Sequence, residues 1–116
     1  ASVILPRLVG FRRAADIFLT NRIVEAPEAL SIGLVTDVVE DEILQAAALR
    51  KAQSIARGAP KALAAAKRLL WNGVGLSVEA CLPEEARTVS DLSATADSRE
   101  GLSAVIERRK PVFTGD

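Results

Sequence analysis

Short apolar stripes alternate along this chain with residues that end helices. Val3, Ile4, Leu5, Leu8 and Val9 make a helical stripe over residues 2–9 that closes at Gly10, and Pro6 is acceptable there because proline is tolerated near a first turn. Phe11, Ala14, Ala15, Phe18 and Leu19 then share one helical face, with Arg12, Arg13 and Asp16 on the other. Asn21 follows where a helix over residues 11–20 needs a left-handed closing residue, the role for which Asn is second to Gly. Residues 22–24 read as a short extended piece. Pro27 opens another short helix with Glu28 in its first turn, where the helix dipole favours an acid, and that helix stops at Gly33. The β-branched run LVTDVV over residues 34–39 reads as a strand.

From Glu40 onward the pattern is helical. Asp41 is positioned to cap a helix over residues 42–57, whose stripe is Leu44, Ala48, Ala52 and Ile55; Gly58 ends it. Pro60 opens the next, to about residue 72, with Leu63, Ala66, Leu69 and Leu70 inward. After Gly73 and Gly75, Ser77 is expected to cap a helix running to about residue 95, with Glu79 in its first turn but no full capping box, since Ala80 stands third after Ser77. Pro83 predicts a kink or break over residues 81–83, because it removes a backbone bond and clashes with the preceding turn. Asp97 and Glu100 have the spacing of a capping box for a last helix over residues 98–109, which Pro111 stops, leaving a loose tail over residues 112–116. No repeat or low-complexity tract is present.

Composition narrows the function classes. Hydrophobic residues make up 49% of the chain, mostly Ala, Leu, Val and Ile, with three Phe, one Trp and no Tyr; this suits packed helices and not a base-stacking platform. Fifteen basic residues balance fifteen acidic ones, so charge gives no reason to expect nucleic acid or an anionic membrane as partner. No apolar run is long enough to cross a bilayer, and no secretory signal is evident. A single cysteine, Cys81, forms no internal disulfide, so a cytoplasmic location is expected. The chain has no Met and opens on the apolar run Ala1-Ser2-Val3-Ile4-Leu5, which suggests truncation of a longer polypeptide.

Read in order, the pieces L-P-R-L-V-G (residues 5–10), L-T-N-R (19–22), Ala26, Glu28 and Ala29 with G-L-V (33–35), Val38-Val39, Ala56 with Pro60, and Lys67 with Leu69-Leu70 resemble the C-terminal half of the enoyl-CoA hydratase/isomerase (crotonase) family. The ending adds Asp97, Glu100, Gly101, Ala104, Val105, Glu107, Arg108, Arg109, Pro111 and Phe113. No piece is specific alone, but the series spans nearly the whole chain. Asn21 replaces a Gly of the pattern, Val105 an aromatic and Arg108 a Lys; the opening A-S-V-I-L-P-R is closer to the A-S-x-L-L-P-R wording of isomerase-like members.

The resemblance implies a mainly α fold, the C-terminal helical portion of a ClpP/crotonase-like fold with one or two short strands and without most of the β-spiral core. It also implies a division into residues 1–41, the end of the core, and 42–116, a helical region for oligomerisation and CoA contact. The implied substrate is an acyl-CoA thioester in a lyase or isomerase reaction of fatty-acid metabolism, with no further cofactor and no metal. The implied partners are further copies in a trimer or hexamer, or the missing N-terminal half. In the family, two backbone N–H groups stabilise a thioester enolate while one or two carboxylates move protons; these lie upstream of L-P-R-L-V-G, so no catalytic residue is assigned here and the chain alone is expected to be inactive.

The residues themselves offer no substitute. There is no His, Glu25 and Glu28 are explained by a helix start, and Asp97 and Glu100 by capping. Cys81 has no His to activate it and reads as a small buried hydrophobe; Trp71 reads as filling a helix–helix gap or an interface. The cluster Arg108, Arg109, Lys110 has two readings. One is a cationic helix end complementing the dipole; the other, by resemblance, is contact with CoA phosphates through Arg108 and Lys110. The family's adenine-stacking aromatic aligns with Val89, so that stacking is expected to be absent. Helices apolar on more than one side, as over residues 62–70, imply burial by something else. The rival to an acyl-CoA enzyme is a non-catalytic helical association module; thioester hydrolysis or decarboxylation is an enzyme-class alternative.

Overall fold

The computed structural model describes all of Ala1–Asp116 and contains seven helices: α1 (Ile4–Val9), α2 (Phe11–Thr20), α3 (Ala26–Ser31), α4 (Asp41–Ala56), α5 (Pro60–Gly73), α6 (Val78–Ser93) and α7 (Ala96–Ile106). The chain divides into two compact units, Ala1–Ala47 and Ala48–Asp116. The mainly α expectation holds, and no strand forms.

In the first unit α1 packs on α2. The two join at Gly10, whose φ of 84° and ψ of 152° suit only glycine. Val9 and Ala14 are the residues buried at this junction, Ala14 at 1% exposure. Asn21 closes α2 in the left-handed conformation, φ 50° and ψ 33°, as its type suggested. Helix α3 ends in a Schellman motif: Gly33, at φ 75°, donates its N–H to the Leu30 carbonyl, and Leu34 donates to that of Ala29.

Neither expected strand, residues 22–24 or 34–39, exists. A strand needs a partner edge to bond with, and the first donors of the second run are already committed. The N–H groups of Leu34 and Val35 both close α3 on the Ala29 carbonyl, at 2.9 and 3.3 Å. β propensity without a neighbouring ladder does not make a strand.

In the second unit α6 packs on both α5 and α7. Arg68 on α5 pairs with Glu84 on α6 and donates to the Thr88 hydroxyl at 3.1 Å, which lets Thr88 be buried at 7% exposure. Ser77 caps α6, its Oγ accepting the Ala80 N–H. Of the kink or break expected at Pro83, the break does not occur, because α6 runs continuously from Val78 to Ser93. The ring sits in the second turn, where the helix forgoes one backbone bond and the rest of the ladder continues.

Glu28, read as a dipole acid, does more: it takes a bidentate grip from Arg22, Nη1 at 2.8 Å and Nη2 at 2.7 Å, while Arg22 Nε reaches Asp16. This pairing holds the Glu28 carboxyl below its usual range. Cys81 is half-buried, its sulfur close to Gly73. Trp71 fills no gap within the chain and stands 54% exposed.

Candidate functional site

Helix α7 leads into the cluster, and its start was misplaced by the expected capping box. The N-cap is Thr95, not Asp97. Its hydroxyl accepts the Ser98 N–H at 3.1 Å and donates to the Leu92 carbonyl at 2.7 Å, tying the end of α6 to the start of α7.

The two acids thought to form the box serve residues far along the chain. Asp97, buried at 4% exposure, accepts the N–H groups of Thr114 at 2.8 Å and Gly115 at 3.0 Å. Glu100 accepts the Val112 N–H at 2.8 Å and a forked contact from Arg109, with Nη2 at 2.8 Å. At the N-terminus of α7 the N–H groups of Ala96 and Asp97 donate to the Asp116 carbonyl. The tail over residues 112–116, expected to be loose, is therefore pinned along its length. The Phe113 ring lies against Gly101, and Gly115, at φ 87°, lies against Pro60.

The helix ends earlier than expected, at Ile106, in a second Schellman motif. Arg108 donates its N–H to the Val105 carbonyl at 3.3 Å and Arg109 donates to that of Ala104 at 3.0 Å. The residue placed at the left-handed position is Arg108, φ 54°, where Gly is usual. The three cations thus part company. Arg109 is neutralised by Glu100 and Glu107, which holds Glu100 down to about 2 through the Arg109 pairing first and the Val112 N–H second. Arg108 and Lys110 are exposed. The two residues named from sequence as the anion-contacting pair are the two that Glu100 and Glu107 do not occupy.

The same unit holds an apolar cleft of about 470 Å³ lined by Val89, Leu92, Leu102, Val105 and Phe113 together with Lys61; neither Arg108 nor Lys110 lines it. Val89 is an open aliphatic surface there, 60% exposed. No group of three or more His, Cys, Asp or Glu side chains is placed to hold a metal ion, and no helix is long and apolar enough to cross a membrane.

The sequence model described as enoyl-CoA hydratase/isomerase matches residues 1–116. The chain belongs to that family. A probable enoyl-CoA hydratase of Rhodobacter capsulatus is 38% identical over 96% of this chain and 43% of its own length. A 2,3-dehydroadipyl-CoA hydratase of Escherichia coli is 36% identical over 96% of this chain and 44% of its own. Among solved structures, the enoyl-CoA hydratase of Bacillus anthracis superimposes with a TM-score of 0.92 at 36% identity, over 97% of this chain and 43% of that one. The chain thus spans less than half the length of these relatives. Its helices are the C-terminal helical portion of a crotonase-like fold.

Proposed function

We propose that this enoyl-CoA hydratase/isomerase family chain supplies the CoA-holding and associating part of an acyl-CoA enzyme, of hydratase or isomerase type. The thioester enolate would be stabilised by N–H groups and carboxylates outside these 116 residues. The observation that carries the reading is the family match along the whole chain, to less than half of each relative, in a sequence with no His. The reaction needs no resident cofactor in this reading; the CoA thioester is the substrate, and the partners are further copies or a sheet-bearing segment.

Arg108 and Lys110 are the groups proposed to meet the CoA phosphates. The guanidinium offers a planar fork that matches two phosphate oxygens, and the ammonium adds a point charge two residues on. Calorimetric titration of CoA into the chain and into its Arg108→Ala variant tests this. Affinity is expected to fall about tenfold in the variant, the size of one exposed charge-assisted contact. Dephospho-CoA, lacking one phosphate, should discriminate less between the two proteins. Equal CoA affinity for both would return Arg108 to helix closure alone.

A further inference from the structure

The loop that carries Arg108 and Lys110 is fastened at both ends. Its start is held by the Schellman bonds of Arg108 and Arg109 onto α7. Its far end is held by the acids of the first turns of the same helix, Val112 on Glu100 and Thr114 and Gly115 on Asp97. Pro111 stiffens the stretch between.

Asp97 has no other evident task. It is not the cap of α7, it makes no ion pair, and yet it is an acid at 4% exposure. Burying a carboxylate costs free energy unless hydrogen bonds to its charged form offset it. Here two backbone N–H groups from the tail do so, seventeen and eighteen residues away. Closing a loop of that length has an entropic cost that the bonds must also cover.

We propose that Asp97 is a positioning residue for anion binding. Its carboxylate straps the tail to α7, and the strap holds Arg108 and Lys110 in place before the ligand arrives. This rests on the reading of Arg108 and Lys110 as phosphate contacts. A tethered loop binds more tightly because the ordering of its backbone and long side chains is largely complete beforehand.

The test is a double-mutant cycle on CoA affinity in the 116-residue chain. Asp97→Ala is expected to weaken CoA binding roughly five- to tenfold, the scale of reordering two long side chains, and Asp97→Asn by less, since its amide oxygen still accepts one N–H. In the Arg108→Ala, Lys110→Ala background the same Asp97 substitutions should change CoA affinity less than twofold, because Asp97 acts only through those side chains. Amide exchange at Thr114 and Gly115 should quicken in both Asp97 variants while the helical circular dichroism is retained. If Asp97→Ala unfolds the chain, the cycle is read from Asp97→Asn.

If wild-type affinity depends on Arg108 but Asp97→Asn and Asp97→Ala leave it unchanged, the strap is not a positioning device and the phosphate site stands. An equal loss in both backgrounds would also overturn it, as the mark of general destabilisation. If Arg108→Ala, Lys110→Ala itself leaves affinity unchanged, the phosphate site and the strap fall together.

Discussion

Arg108 closes α7 at φ 54°, and its side chain is not needed for that closure. A left-handed conformation at a residue with a Cβ costs on the order of 1 kcal/mol, so the two roles separate by substitution. Arg108→Gly should relieve the strain and raise stability by about that amount, with CoA affinity falling as in Arg108→Ala. Thermal melts paired with titration check this; a destabilised Arg108→Gly would remove the strain argument. Ala104, at 1% exposure on the same helix, has the opposite sensitivity. Ala104→Leu would force extra methylenes into a closed space at a cost of roughly 1–3 kcal/mol, readable in the same melts. Arg108 and Lys110 were singled out in the sequence only through the resemblance, and their role stays a proposal. That Arg109 leaves the group was not legible there, because Glu100 stands nine residues earlier and nothing local points one at the other.

Among the elements, most helix boundaries set by a local residue read well. Gly10, Asn21, Gly33, Pro60 and Ser77 each stand where a helix begins or ends, and the structure places them so. Two errors arise where the deciding partner is distant, while the break at Pro83 and the Thr95 cap were misread locally. Residues 34–39 have strand chemistry but no ladder, and the D-x-x-E spacing of Asp97 and Glu100 looked like a cap while its bonds run to the tail. That tail attachment responds to acid. Glu100 is held down to about 2 in the folded chain, below its ordinary value of 4.5. A carboxyl depressed by folding contributes stability that is full above the ordinary value and is lost as pH falls through the depressed one. The attachment at Val112 should therefore be intact at neutral pH and loosen between about 4.5 and 2. Amide exchange at Val112 followed through that window checks it, and protection unchanged down to pH 2 would contradict it.

Over the whole molecule the decisive quantity is surface left open. The chain exposes 9143 Å², whereas two separate compact bodies of its two units' sizes would together expose about 7,300 Å² by the scaling for folded proteins. Only Val9, Ala14, Ala29 and Ala104 are buried hydrophobics, while Phe11 (77%), Leu19 (86%), Ile23 (81%) and Ile106 (81%) face outward. Exposed apolar faces are in general where proteins associate, and the self-association proposed for this chain rests on them. On its own the chain is expected to bind a hydrophobic dye strongly and to sediment with concentration-dependent mass; a dye-silent monomer at all concentrations would contradict this.

If, as proposed, these helices hold CoA and associate while the reacting groups reside elsewhere, activity requires both halves. Crotonyl-CoA hydration and 3-enoyl-CoA isomerisation, assayed with the chain alone and after co-expression with the preceding half of a family hydratase, test it most directly. The 116 residues alone are expected to show no turnover, and the joined halves to show it. Turnover by the chain alone would contradict it.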